Sequence, residues 1–241
     1  MDKREEKMFK KLAKENMGSS NLGWLKSRFH FSFAEYRNYD NMNFGVLRVL
    51  NDDIIHPNSG FDMHPHNDME IISYIVDGEI THKDSMGNEE TLKRGQVQYM
   101  SAGSGIVHSE HNKNTEDDLR LLQIWIVPPK KNLQTLYGSH LYKKEQKENK
   151  LLHIVSSLDG DAAVKLHQDV DIYVSELAQG KTLEFSIAKR RQVYFVQIEG
   201  SSNINGAVLD NGDAMEVTQE MRLDIHALQN SHFLFIDMPE S

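Results

Sequence analysis

Between residues 60 and 110 the chain alternates short apolar runs with turn-forming clusters. Ile71, Ile72, Tyr74, Ile75 and Val76 make a run rich in β-branched and aromatic residues, closed by Asp77-Gly78, a hairpin signal. Residues 79–83 predict a second strand, stopped by Asp84-Ser85-Met86-Gly87-Asn88. Residues 91–93 and 97–100 follow on either side of Gly95, before the corner Ala102-Gly103-Ser104-Gly105. Upstream, Phe29, Phe31 and Phe33 alternate with His30, Ser32 and Ala34, the period of a half-buried strand that would turn His30 to the opposite face, solvent-facing or hydrogen-bonded. Residues 44–50 predict a strand and Asn51-Asp52-Asp53 the turn that ends it. LLQIWIV at 121–127 is the most continuously apolar stretch and predicts a buried strand with Trp125 as a packing residue. It stops at Pro128-Pro129, which cannot donate to a ladder.

The second half repeats this rhythm. Residues 151–155, 163–167, 172–177 and 182–187 predict short strands. Residues 193–198 followed by Glu199-Gly200 echo 71–76 followed by Asp77-Gly78, as a duplicated unit would. HFLFIDM at 232–238 predicts a final strand. Short strands with frequent turn signals indicate an all-β protein of barrels or sandwiches. The expected division is a first barrel over 1–127, a lysine-rich connector over 128–150 and a second barrel over 151–241. The charged start, with Met8, Leu12 and Ala13 at helical spacing, suggests a short amphipathic helix.

Candidate chemistry sits at the two ends of the 60–110 meander. His64 and His66 flank Pro65, and His108 and Glu110 flank Ser109. In a strand, residues two apart project from one face about 6–7 Å apart, so each pair can aim at one point. If the meander brings the pairs together, three imidazoles and a carboxylate converge, a donor set suited to Fe, Mn, Co, Ni, Cu or Zn. Glu70, four residues after His66 and in phase with it, leaves two candidates for the carboxylate. His56 and His111 are expected to be structural, and so is His82, with a place beside the metal ligands as its alternative. His167, His226 and His232 lack this pairing, so the second half is expected to hold no metal.

The 241 residues carry a net charge of -9 and no cysteine. The charge argues against a nucleic-acid partner, and the absence of thiols gives no sign of a disulfide framework. No apolar run is long enough to span a bilayer, and the charged start has no secretory pattern. A cytoplasmic monomer is expected.

The residues Gly23-Trp24-Leu25, Leu47-Arg48-Val49-Leu50-Asn51-Asp52-Asp53, His64-Pro65-His66, Asp84-Ser85-Met86-Gly87-Asn88 and the run from Met100 to Glu110 resemble the pirin family of the cupin superfamily. The likeness is strongest to bacterial pirin-like quercetin 2,3-dioxygenases. It implies a bicupin of two face-to-face β-barrels, with an edge strand near residues 8–13 in place of the helix. It also implies one divalent metal, Fe(II) being the ion expected, held by His64, His66, His108 and Glu110. The activity implied is oxygen-dependent cleavage of a flavonol with loss of carbon monoxide, Glu110 acting as catalytic base. Asn67-Asp68 stands where many pirins have Arg-Gly. A metal-dependent regulatory binding protein, and a cupin isomerase or small-molecule-binding protein, are the competing readings.

Overall fold

Period-two alternation and β-branched runs give strands in both halves, and the computed structural model describes residues 8–240 as nearly all β. The chain forms two compact units. The N-terminal unit holds residues 17–143 and 156–168. The C-terminal unit holds 144–155, 169–240 and the described residues up to Asn16.

In the N-terminal unit the larger sheet runs, in hydrogen-bonded order, Leu136–Leu141, Gln96–Ser101, Glu70–Asp77, Leu119–Ile126, Leu47–Ile55, Leu25–Phe29 and Gly18–Asn21. The smaller runs Ser59–His66, Ile106–Asn112, Glu79–Asp84 and Glu89–Lys93. Apolar side chains such as Ile55, Ile75, Ile80, Leu92 and Leu119 form one buried cluster, with Trp24 and Phe61 against it. Ile71, Met100, Ala102 and Ile106 form another, with Trp125 packed on it.

The C-terminal unit repeats the plan. Its larger sheet includes, in order, Phe9–Leu12, Ala214–Val217, Arg191–Glu199, Ser231–Pro239, Asp171–Leu177 and the start of Leu152–Ser157. The smaller runs Thr182–Ser186, Arg222–Ala227, Ser201–Ile204 and Ala207–Asp210. An apolar cluster in its core includes Phe195, Phe233, Phe235, Met215, Leu223 and Ile225.

Several local expectations change. Residues 9–12 are a strand, not a helix, paired antiparallel with Val217–Ala214. Lys10 meets Glu216 at 3.1 Å and Lys11 meets Asp213 at 2.7 Å, so partners distant in sequence override the helical spacing. Asp77-Gly78 is not a hairpin turn: it carries the chain from the larger sheet to the smaller. Gly78 has φ +73, and a Cβ there would lie 2.6 Å from the Asp118 carbonyl oxygen. Residues 51–53 are not a turn either, because the strand runs unbroken from Leu47 to Ile55 and buries all three. His30 is buried, not solvent-facing. The strand ends at Phe29, and the following loop folds back so that Asn41 Nδ2 donates to the His30 carbonyl at 2.7 Å. The stretch 128–150 also contributes a strand, Leu136–Leu141, paired with Gln96–Ser101.

Candidate metal centre

The two motif pairs lie on neighbouring antiparallel strands. His108 stands opposite His64 and Ile106 opposite His66, and a register shift between His108 and Glu110 then sets Glu110 opposite Phe61. Such a bulge twists the strand locally and re-aims the side chains beyond it. The imidazoles form a tight triangle, with ring centroids 4.8 Å apart for His64 and His66, 4.4 Å for His64 and His108, and 5.0 Å for His66 and His108. One donor atom from each lies within 4.8 Å of the others. A second group, His82, His108 and Glu110, meets the same limit, so His108 belongs to both.

The tautomers follow from the partners. His64 Nδ1 lies 2.7 Å from the Asp62 carbonyl oxygen, which can only accept. Nδ1 therefore carries the proton and Nε2 keeps the lone pair that a metal needs. His108 is 1% exposed, and both its ring nitrogens lack a hydrogen-bond partner. A buried polar atom left unpaired is costly, so a nitrogen in this state calls for a donor or a cation. Burial, then the neighbouring His64, pushes His66 down to about 4. Burial, followed by His64, His66 and His82, pushes His108 lower still. Both are neutral near pH 7, the form that ligates metal.

Glu110 is buried beside them. Ser73 Oγ donates to its Oε1 at 3.2 Å and Gln123 Nε2 to its Oε2 at 2.9 Å. Burial raises its pKa to about 7, against the pull of those two bonds. Glu70, the other candidate, is engaged elsewhere. It accepts from Tyr99 Oη at 2.8 Å, from the backbone N–H of His167 at 2.6 Å and from that of Gln168 at 3.0 Å. Its carboxylate anchors the 156–168 segment.

His82, expected to be structural, is fully buried, with its ring 5.3 Å from that of His108 and stacked on Tyr137 at 4.7 Å. Its Nε2 donates to Asp84 Oδ2 at 3.2 Å, and Gln98 Nε2 donates to its Nδ1 at 3.1 Å. Asp84 also accepts from Met86 N, Asn88 N and Asn88 Nδ2. Burial alone would raise Asp84, but the bonds from Asn88, His82 and Met86 hold it below the ordinary carboxylate range. His56 and His111 instead pair with Asp118 and Asp62.

Motif reading missed Ser73, Gln98, Gln123 and Asp84, and kept His82 near the metal ligands only as the lesser alternative. The available signal was a lone polar residue inside an apolar run, as Ser73 is in Ile71-Ile72-Ser73-Tyr74-Ile75 and Gln123 in Leu121-Leu122-Gln123-Ile124. These residues are cross-strand partners, Gln98 with Ser73, Ser73 with Gln123 and Gln123 with Asn51, and they form a polar row across the larger sheet.

A cavity of about 280 Å3 opens onto the site. His64, His66, Glu110 and Gln123 line it together with Phe29, Phe33, Phe61 and Trp125. The Trp125 ring stands edge-on to His66 at 4.9 Å and to Phe33 at 5.5 Å. Trp125, expected to serve packing alone, is thus also a wall of this cavity.

A family model described as Pirin matches residues 10–126, and one described as a quercetinase C-terminal cupin domain matches residues 153–238. The chain is similar to a pirin-like protein of Caulobacter vibrioides, 40% identical over 224 residues, which are 92% of this chain and 96% of that one. It is also similar to a quercetin 2,3-dioxygenase of Escherichia coli strain K12, 39% identical over 223 residues, 92% of this chain and 95% of that one. Among solved structures it resembles the bacterial pirin YhhW from Escherichia coli in complex with nickel(II). The TM-score is 0.92 at 35% identity, covering 97% of this chain and 100% of that one.

Proposed function

The chain belongs to the pirin family of cupins, and from that premise we propose that it is a metal-dependent dioxygenase that opens the central ring of a flavonol such as quercetin. The observation that carries this reading is His108, buried with both nitrogens unpaired and packed against His64 and His66 at the wall of an aromatic cavity. A cation satisfies that nitrogen where no protein donor does. His64, His66, His108 and Glu110 would hold the metal, with Fe(II) the ion expected and other divalent first-row metals suited to the same donors. The nickel(II) complex of the similar bacterial pirin supports a divalent ion at such a site. When bound, a redox-active ion supplies Lewis acidity and one-electron chemistry toward dioxygen.

The remaining work falls to this chain's own groups. Phe29, Phe33, Phe61 and Trp125 offer apolar faces and edges that bind a flat ring system and exclude water. Glu110 lies at the same wall and accepts the proton of the flavonol 3-hydroxyl, leaving an electron-rich enolate. Hydrogen bonds from Ser73 and Gln123 to its two oxygens hold the Glu110 carboxylate in place at that wall. Both atoms of dioxygen enter the product, and one carbon of the central ring leaves as carbon monoxide.

The test is to quantify metals in the purified protein by mass spectrometry and to follow quercetin absorbance with and without oxygen. About one metal per chain is expected, with oxygen-dependent loss of quercetin in the wild type and neither in His64→Ala. Bound metal with quercetin untouched would overturn the substrate and favour a binding or isomerase role. Failure to take up metal even on reconstitution would overturn the centre itself.

A further inference from the structure

The cavity wall contains two polar groups that the reaction above does not use. Asn51 and Asp53 are each 3% exposed and line the cavity alongside the four aromatic residues. Asn51 Oδ1 and Asp53 Oδ1 have no hydrogen-bond partner. Two residues apart on the strand Leu47–Ile55, they share one face, about 6–7 Å apart along it. Asn51 stands opposite Gln123, whose side chain donates to Glu110, so it continues the polar row away from the histidines. Asp53 stands opposite Ser27, which donates to its carboxyl and leaves Oδ1 free to accept.

We propose that Asn51 and Asp53 form a specificity subsite that accepts hydrogen bonds from the ring hydroxyls of a polyhydroxylated aromatic substrate. The inference rests on the flavonol reading and adds to it which part of the molecule is recognised. Buried acceptors are normally paired, and an apolar ring filling the cavity would leave both oxygens without a donor. A ring with two hydroxyls supplies the missing donors while its faces meet Phe29, Phe33, Phe61 and Trp125. A site built to bond a hydroxyl discriminates strongly against the analogue that lacks it, because the analogue leaves buried groups unpaired. The pair therefore selects hydroxylated flavonols over bare ones.

The experiment compares quercetin with 3-hydroxyflavone, which keeps the 3-hydroxyl and 4-carbonyl but lacks the hydroxyls on the outer rings. Dissociation constants are measured anaerobically by fluorescence quenching on the metal-loaded protein, for the wild type and for Asn51→Leu/Asp53→Leu. The wild type is expected to bind quercetin at least about tenfold more tightly than 3-hydroxyflavone. In the double variant the affinity ratio should fall toward one. Its melting temperature should stay close to that of the wild type, since each group removed has an unpaired oxygen, set against the acceptor that the Ser27 hydroxyl loses. Should the double variant fail to fold, Asn51→Leu alone is expected to lower the ratio part of the way. A wild type that binds both flavonols equally, or a ratio that survives substitution, overturns the subsite and leaves the flavonol reading standing. A wild type that binds neither compound overturns that reading and the subsite with it.

Discussion

The larger sheets of the two units have strands in the same order, and a row read across equivalent strands differs completely between them. In the N-terminal unit it runs Gln98, Ser73, Gln123, Asn51 and Phe29. In the C-terminal unit it runs Met215, Phe195, Phe235, Tyr173 and His153. The first row holds Glu110 and reaches His82 through hydrogen bonds. The second is a stack of rings, with Phe195 and Phe235 at 6.1 Å, Tyr173 and Phe235 at 5.2 Å, and His153 and Tyr173 at 4.5 Å. The smaller sheets differ in the same sense. Where the N-terminal unit pairs His64 with His108, the C-terminal unit pairs Phe185 with Leu223 and Leu183 with Ile225. One scaffold thus accepts either a polar interior beside a cluster of histidines or an apolar interior of stacked rings. The difference lies in side chains, not topology.

The strongest way to sharpen this contrast is Glu110→Gln. The amide keeps the size and most of the hydrogen bonding but cannot take a proton, so flavonol turnover should fall by about 10²–10⁴-fold. Bound metal and the circular dichroism spectrum should change little. Turnover within a factor of two of the wild type would remove Glu110 from the base role.

Phe235→Ala tests the other side. Phe235 is fully buried among Phe195, Tyr173 and Phe185, so its truncation should cost about 3–5 kcal/mol in urea unfolding. Metal binding in the N-terminal unit should persist under native conditions. A cost below about 1 kcal/mol would show that the aromatic row is not what stabilises that unit.

A smaller effect concerns histidines buried outside the histidine triangle. Burial lowers His232 in the C-terminal unit despite Glu199 at 3.0 Å, and in the N-terminal unit it pushes His30 down to about 4, only partly opposed by Asp52. His30 thus binds its proton more weakly folded than unfolded. Its contribution to stability is full above about pH 6.5 and is lost as pH falls toward 4, by at most about 3 kcal/mol. Urea unfolding of the metal-free protein at pH 7 and pH 4.5 should show a smaller difference in His30→Gln than in the wild type. Equal differences would mean that His30 does not titrate in this window.

Much of this was legible in the chain. Alternation and turn residues gave most of the strands between residues 60 and 127, and the His64-Pro65-His66 and His108-Ser109-Glu110 spacings gave the histidine triangle. What was not legible shared one cause. Residues 9–12 carry a pattern compatible with helix or strand, and only the pairing with 214–217, far along the chain, decides it. Asn51-Asp52-Asp53 has the composition of a turn, but neighbouring strands on both sides hold it extended and inside. Glu70 and Glu110 are equivalent by spacing, and they separate only because Tyr99 and the 167–168 backbone hold one while Ser73, Gln123 and the histidines surround the other.

By itself, then, the sequence determined the all-β class, the duplicated plan and the residue types able to bind metal, because periodicity and donor chemistry are local properties. Only the tertiary structure decided which carboxylate faces the histidines, that His82 joins them, and that Asn51 and Asp53 line the cavity with unpaired oxygens. Those outcomes depend on cross-strand register and burial, which arise between segments distant in the chain and leave no mark on either segment alone.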